Sequence, residues 1–318
     1  MQGNERIRVG VSACLLGEKV RYDGGHKLDR FIRDTLGRYF HFVPVCPEVE
    51  CGLPVPRESM HLAGSLENPR LVTTETKVDL TEKMLTWARK KVRELEQEEL
   101  CGFIFKTGSP SSGLRQIQVF CDDGVVRKQG VGLFARTFIE HFPRVPVEDD
   151  GRLHDEGIRE NFIERVFTFW RWRNCLKAGK KRGNLVKFHT AHKLLILSHS
   201  PTHYRAMGKL VAEAKKLRPT ELFDRYEKLL MDALSRKATP AKNANVLHHI
   251  MGHFKKELSS WEKEELLDLV ERYRRGEVPL IVPITLVKHY VKKYGKEYLE
   301  NQVYLNPHPI ELKLRNHA

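Results

Sequence analysis

Three cysteines in the first third of the chain stand in two short loops. Cys14 lies in the loop 11–25, and Cys46 and Cys51 lie in the loop 46–58, where four residues separate them. Thiolates are soft ligands that suit iron-sulfur clusters and zinc, but a closed structural zinc site normally takes four ligands. Three thiolates therefore favour an iron-sulfur cluster that keeps one iron open. Small buried thiols without metal are the alternative interpretation, because free cysteine is often buried.

The other three cysteines are expected to lie away from these loops. Cys101 opens a predicted strand of about six residues, and a strand rises roughly 3.3 Å per residue, so Cys101 should lie about 20 Å from the loop after that strand. It is therefore the less favoured ligand, at the opposite edge of the sheet. We expect Cys121 and Cys175 to be structural or free thiols.

A third loop, residues 106–113 with the sequence K-T-G-S-P-S-S-G, also follows a predicted strand. Ligands of parallel sheets bind at the carboxyl ends of the strands, so all three loops should meet at one site. Strands and helices alternate along residues 1–141, which predicts a mostly parallel, Rossmann-like α/β domain. The predicted strands cover 7–13, 42–45, 101–106 and 116–120, and the predicted helices cover 28–39, 79–98 and 133–141.

The character of the sequence changes after a stretch rich in proline, glycine and acidic residues at 143–155. Such a stretch between two periodic segments marks a domain boundary. From Ile158 onward the pattern is nearly all helical, with breaks at prolines and small polar residues. We therefore expect an α/β domain over 1–150, followed by an all-α helical bundle over 151–318.

The net charge of +14 is unevenly placed. Residues 1–150 contain 22 basic and 22 acidic residues, so the whole excess lies in 151–318. Clustered cations bind polyanions by releasing phosphate counterions, which favours a neutral catalytic domain joined to a nucleic-acid-binding domain. The alternative is a basic protein with solvated helix faces.

The candidate phosphate contacts are basic residues on the predicted helices of the second half, and Trp170 and Trp172 between them are expected to be core residues rather than stacking platforms. These contacts are Arg171, Arg173, Lys177, Lys180, Lys181, Arg182, Lys255, Lys256, Arg274 and Arg275.

Three long runs in this order resemble the TudS-type thiouracil desulfidase domain. They are S-A-C-L-L-G-x-x-V-R-Y-D-G, V-C-P-E-V-x-x-G-L-P-x-P-R and K-x-x-S-P-S-x-G. The helical half resembles the YbgA-type domain that accompanies it, and the whole chain is similar to the fused, RudS-like form associated with removing sulfur from 4-thiouridine in tRNA. The resemblance implies a 4Fe-4S cluster that three cysteines bind, with an open iron for the substrate sulfur.

Carried over to this sequence, the resemblance implies cluster ligands at Cys14 and Cys46, a catalytic acid at Glu48 and an active-site serine at Ser109. The chain departs from the pattern at Ser112, where stand-alone desulfidases have a cysteine. A hydroxyl is a poor replacement for a soft thiolate. Cys51 is the expected third ligand, ahead of Cys101.

The expected function is therefore cluster-dependent, hydrolytic desulfidation of 4-thiouridine in tRNA. Two alternatives stay open: a desulfidase of free thiouracil or thiouridine, and a non-enzymatic iron-sulfur protein that binds nucleic acid or senses oxidants. No apolar stretch approaches the roughly 18 residues that a membrane span needs. The charged start is unlike a secretion signal, so we expect no membrane partner and a cytoplasmic location.

Overall fold

The computed structural model describes residues 6–316. The chain forms two compact units that divide between Asp155 and Glu156. In the part of the chain that the structure describes, no helix is both long and apolar enough to cross a membrane.

The first unit contains two four-stranded sheets. Its strands are β1 (Ile7–Ser12), β2 (Phe40–Val45), β3 (Met60–Gly64), β4 (Pro69–Thr73), β5 (Phe103–Phe105), β6 (Ile117–Phe120), β7 (Val126–Gly130) and β8 (Val147–Asp149). One sheet has the order β2-β1-β5-β8 and is parallel throughout. This confirms the predicted parallel α/β architecture.

Close packing between β1 and β5 requires a glycine. A Cβ atom added to Gly10 would lie 2.2 Å from the Phe103 ring. Phe103 stacks on Phe105 and both rings meet Phe134 and Phe138, so an aromatic core covers one face of this sheet. The missing side chain at Gly10 lets the two strands pair beneath these rings.

The second sheet, in the order β4-β3-β6-β7, was not foreseen as a separate sheet. The chain pattern predicted only β6 of its strands. The sheet packs on its own apolar cluster, which draws Leu62 and Leu71 from the β3-β4 hairpin and Met84 from a neighbouring helix. Short strands that alternate with polar turns give a weak periodic signal, so they could not be predicted from the sequence pattern.

The helices of the first unit are α1 (Pro47–Glu50), α2 (Thr81–Glu96) and α3 (Leu133–His141). The predictions for α2 and α3 are confirmed. The helix predicted over 28–39 is present in shorter form, as a π-helical turn at Phe31–Thr35 that continues into a 3-10 turn at Leu36–Arg38. Only Ile32 and Leu36 of these turns are buried, too few for a regular amphipathic stripe.

The second unit is helical, as predicted. Its helices are α4 (Glu156–Lys177), α5 (Arg182–His199), α6 (Pro201–Ala212), α7 (Pro219–Ser235), α8 (Pro240–Met251), α9 (Ser260–Arg274), α10 (Ile281–Lys293) and α11 (Glu297–Glu300). Pro201, Pro219 and Pro240 each begin a helix, where the missing N–H costs nothing. Ser259 and Glu262 form a capping box at the start of α9.

Candidate functional site

A cavity of about 220 Å³ lies at the carboxyl ends of β1, β2 and β5. This is the sheet edge where the sequence predicted that three loops meet. The reactive or charged side chains that line it include Cys14, Cys46, Glu48, Arg57, Ser109 and Ser112. A direct hydrogen bond joins two of the loops, because the backbone N–H of Lys106 donates to Ser12 Oγ at 3.0 Å.

Cys14 and Cys46 both reach this cavity because each lies just after a strand. Cys14 lies on the 3-10 turn Ala13–Leu16 after β1, and Cys46 is the residue that precedes α1 after β2. Both thiols are buried. Burial raises the pKa of Cys14 to about 11 and that of Cys46 to about 12. Without a bound metal both are therefore neutral thiols at pH 7, and a coordinating metal would deprotonate them.

Cys51 does not line this cavity. It follows the last residue of α1, so it lies at the opposite end of this four-residue helix from Cys46. Its thiol donates to the backbone oxygen of Glu48 at 3.2 Å, and it packs against the apolar cluster of the second sheet. The structure thus brings together two of the three predicted ligands. Cys51 could join them only if its half-buried side chain turned toward the cavity.

Cys101 lies just before β5, and its backbone N–H donates to Arg8 at the start of β1. The cavity is at the other end of these strands. This agrees with the strand-length argument that ranked Cys101 below Cys51.

Glu48 lies in the first turn of α1 and points at both the thiols and the serine loop. Its Oε2 accepts from Cys46 Sγ at 3.5 Å. Its Oε1 accepts from Ser111 Oγ at 2.5 Å, whereas Ser109 Oγ is 3.4 Å from the same oxygen. Ser109 and Ser111 are themselves 3.0 Å apart. The carboxylate therefore lies between a thiol and two hydroxyls, an arrangement that can hold and transfer protons.

Ser111 is the functional residue that the sequence reasoning missed. Its side chain is fully buried, so its hydroxyl needs a partner inside the protein. The available signal was the repetition of serine in the loop 106–113, where Ser111 stands two residues after Ser109. Gly113 closes this loop, since an added Cβ there would lie 2.7 Å from the backbone oxygen of Ser109.

Three cations surround the thiols and are tied down by other groups. Lys106 pairs with Asp150 at 2.9 Å, and Arg21 pairs with Asp23 at 3.2 Å. Arg57 donates to the backbone oxygen of Val20 at 3.0 Å. The Arg57 side chain is only 8% exposed, and its Nε has no hydrogen-bond partner within residues 6–316.

The donor set fits an iron-sulfur group. Two thiols share one cavity, a third stands one short helix away, and Arg57, Lys106 and Arg21 offset the negative charge of thiolates and sulfide. Each thiolate of such a cluster binds a different iron, so the thiols need not touch. No trio of cysteine ligands within the described residues lies close enough to share a single ion.

The predicted phosphate contacts divide into exposed and structural side chains. Lys180, Lys181, Lys255 and Lys256 are exposed, and so are Lys177, Arg182, Arg274 and Arg275, which also make local contacts. The Arg171 guanidinium donates to the backbone oxygen of Pro307 at 2.7 Å and its Nη1 is buried, so this side chain is held within the helical unit. Arg173 makes a local contact as well.

Those local interactions differ in kind. Arg182 donates to two backbone oxygens, and Arg173 lies over the Phe169 ring at 4.8 Å from its centre. Arg274 and Arg275 pair with glutamates, and Lys177 has a partner of its own. Trp172 is fully buried and donates to Glu227 at 2.8 Å, so it is a core residue.

Two buried thiols and a carboxylate that accepts hydrogen bonds from hydroxyls converge on a cavity at the carboxyl edge of a parallel sheet. This arrangement defines an enzyme site that works beside a thiophilic group. Comparison with known families agrees. Residues 9–150 match the family described as 2-thiouracil desulfurase, and residues 193–309 match a family described as a protein of unknown function, DUF1722. The chain therefore belongs to the 2-thiouracil desulfurase family in its first part, which is fused to a YbgA-like second part.

Two relatives support this assignment. The chain is 33% identical over 158 residues to the uncharacterized protein YbgA of Escherichia coli K12, a match that covers 49% of this chain and 94% of YbgA. It is 31% identical over 108 residues to the uncharacterized protein YbbK of Bacillus subtilis 168, covering 32% of this chain and 71% of YbbK. Among solved structures, a 4Fe-4S-dependent thiouracil desulfidase, TudS, is 30% identical with a TM-score of 0.39, covering 47% of this chain and 95% of TudS.

Proposed function

We propose that this protein is an iron-sulfur-dependent desulfidase that removes sulfur from 4-thiouridine in tRNA and leaves uridine and sulfide. The observation that carries the proposal is the convergence of Cys14, Cys46 and Glu48 at one cavity. The membership of the first unit in the 2-thiouracil desulfurase family supports the class of reaction.

The proposed cofactor is a 4Fe-4S cluster that Cys14, Cys46 and Cys51 bind. Cys14 and Cys46 already face the cavity, and Cys51 would join them by turning its side chain away from the Glu48 backbone oxygen. When bound, the cluster supplies a thiophilic Lewis acid that makes a thiocarbonyl carbon more electrophilic.

The reaction that these groups support is a hydrolysis. The carbon-sulfur bond of the thiobase breaks, a carbon-oxygen bond forms with an oxygen from water, and the protons of that water leave with the sulfur as hydrogen sulfide. No electrons are gained or lost, so no oxidant or reductant takes part.

Glu48 is the proposed group that moves protons in this hydrolysis. Its carboxylate takes a proton from the attacking water and returns one to the departing sulfur or the ring nitrogen. Ser111 and Ser109 orient this carboxylate through the hydrogen bonds to Oε1. Arg57 lines the same cavity, and its Nη2 lies 3.9 Å from Oε2 of Glu48, so it adds a positive charge beside the carboxylate.

The tRNA part of the proposal rests on the charge of the second half. All of the +14 excess belongs to residues 151–318, and four lysines predicted as phosphate contacts are exposed there: Lys180, Lys181, Lys255 and Lys256. A thiobase in folded tRNA must be turned out of its stack before it can enter a cavity, and this needs a firm hold on the backbone.

The experiment is anaerobic cluster reconstitution of the full chain, followed by incubation with tRNA that contains 4-thiouridine. We expect the near-ultraviolet absorbance of the thiobase to disappear while sulfide is released in equal amount. An intact thiobase in the presence of a fully loaded cluster would refute the proposal.

The second candidate function is desulfidation of a free thiobase or thiouridine. The cavity volume of about 220 Å³ favours this function, because a cavity of this size suits a single base. Rates on free 4-thiouridine and on thiolated tRNA distinguish the two. A higher kcat/KM for tRNA, lost at high salt, supports the tRNA substrate, whereas equal values at all salt concentrations support the free base.

A further inference from the structure

The helical unit contains a partly buried polar cluster that the desulfidase chemistry does not use. Glu160 and Glu164 lie one turn apart on α4, so both point to the same side of the helix. His308, from the segment after α11, meets them there. One ligand atom from each of these three residues lies within 4.8 Å of the other two.

His308 presents a free lone pair to this cluster. Its Nδ1 is 3.2 Å from the backbone oxygen of Pro309, so Nδ1 carries the proton and donates it. The other ring nitrogen, Nε2, is then an acceptor, and it is buried without any hydrogen-bond partner in the described chain. Metal-binding histidines show this pattern, in which one nitrogen donates to a carbonyl and the other binds the ion.

The two carboxylates are oriented by neighbouring donors. Arg315 donates to Glu164 at 2.9 Å and to Glu160 at 3.3 Å, and His199 contacts the second oxygen of Glu164 at 3.2 Å. Glu164 has about four lone-pair sites, and the contacts with Arg315 and His199 occupy two of them, so capacity for a metal ion remains. Arg315 and His199 thus correspond to the outer groups that orient carboxylate ligands in metal sites.

The Arg315 guanidinium contacts both the buried Glu164 and the half-buried Glu160, and a cavity of about 250 Å³ borders these three residues. The cavity has room for water molecules that complete a coordination shell. Carboxylate and imidazole ligands together suit a divalent first-row ion such as Mn²⁺ or Fe²⁺, whereas soft thiolates are absent from the group.

We propose that Glu160, Glu164 and His308 bind one divalent first-row metal ion, with Mn²⁺ or Fe²⁺ as the matching class. This site is separate in its ligands and chemistry from the thiol cavity, and it goes beyond the proposed desulfidase function. Its effect is to fix α4 against the chain segment that carries His308.

The test is titration of Mn²⁺ into the metal-free full chain, with the free-ion electron paramagnetic resonance signal as readout. Mn²⁺ is chosen because the thiol cavity, with soft ligands, is a poor site for it. We expect about one equivalent to bind. His308→Gln should weaken the affinity at least roughly tenfold, since it removes one of three ligands. Glu160→Gln should act in the same direction.

The matched control is His192→Gln. His192 also donates from Nδ1 to a backbone oxygen and also has a buried Nε2 without a partner, but it does not belong to the carboxylate cluster. Its Mn²⁺ affinity should equal that of the unchanged chain, with folding checked by circular dichroism. Failure of the unchanged chain to bind Mn²⁺, or equal affinity after His308→Gln, would overturn the proposal and leave the cluster as an ion-pair network around Arg315.

Discussion

Ser111 donates a hydrogen bond of 2.5 Å to Oε1 of Glu48 across two different loops. The serine is fully buried, whereas the other oxygen of the same carboxylate faces the Cys46 thiol. This contact fixes the direction of the one carboxylate that lies beside the thiols in the cavity. Its value to catalysis follows from that geometry, because a proton-transfer group must be held within hydrogen-bond reach of its target.

Ser111→Ala should lower kcat for sulfide release by roughly 10- to 100-fold. A hydrogen bond to a charged group contributes about 1.5–3 kcal/mol, and each 1.4 kcal/mol corresponds to about a tenfold rate change. Iron content should be unchanged, because no thiol is removed. Ser59→Ala is the control, since Ser59 also lines the cavity but bonds to Thr74. A full rate for the Ser111 variant would show that Glu48 needs no such support.

Glu48→Gln should reduce kcat roughly 10²- to 10⁴-fold, the usual contribution of a general acid or base. The amide keeps the shape of the side chain but cannot take up a proton. Visible absorption of the cluster should stay the same in this variant. If desulfidation continued at the normal rate, the protein would fit better as a non-enzymatic iron-sulfur binder or redox sensor.

Cys51→Ser should abolish the visible absorption that anaerobic reconstitution produces, while Cys101→Ser should leave it intact. The physical reason is position, because Cys51 ends the helix that Cys46 precedes and Cys101 lies at the far end of the sheet. The measurements are iron per chain and absorption after desalting. The reverse pattern would exclude Cys51 as the third ligand.

Alkylation of the metal-free chain should be slow at Cys14 and Cys46 and should accelerate with rising pH. Burial raises their pKa values to about 11 and about 12, and only the thiolate reacts. A pKa of about 11 leaves roughly 100-fold less thiolate at pH 8 than the ordinary pKa of 9.0, and a pKa of about 12 leaves still less. Both thiols are also buried, so both should react behind Cys121, which is half-buried and more accessible. Mass spectrometry of timed samples gives the rates. Equal rates for all three cysteines at pH 8 would contradict the burial of the two site thiols.

Replacing both Lys180 and Lys181 by serine should weaken tRNA binding and lower the slope of log affinity against log salt by about two, one for each lost phosphate contact. The rate on free 4-thiouridine should not change. Lys90→Ser is the control, because Lys90 is an exposed lysine of the neutral first half. An unchanged salt slope in the double variant would remove these two lysines from the RNA-binding surface.

The sequence by itself determined the parts of this protein that depend on local pattern. Cys14 lies two residues after β1 and Cys46 directly after β2, and parallel strands align their carboxyl ends, so their meeting could be predicted. The same reasoning put Cys101 at the other edge. Helices with a regular apolar stripe, such as α2, could also be predicted from the sequence. The same holds for the breaks at prolines, where helices begin.

Only the tertiary structure decided where side chains point once packing is complete. Cys51 lies in the loop after a predicted strand, as expected of a ligand, yet its thiol points to the backbone oxygen of Glu48 and to the apolar cluster of the second sheet. Arg171 has the charge of a phosphate contact, but its guanidinium donates to the backbone oxygen of Pro307. Ser111 lies 63 residues from the carboxylate that it orients. Periodicity reports the face of an element, whereas these contacts depend on neighbours that are distant in sequence, which no local pattern encodes.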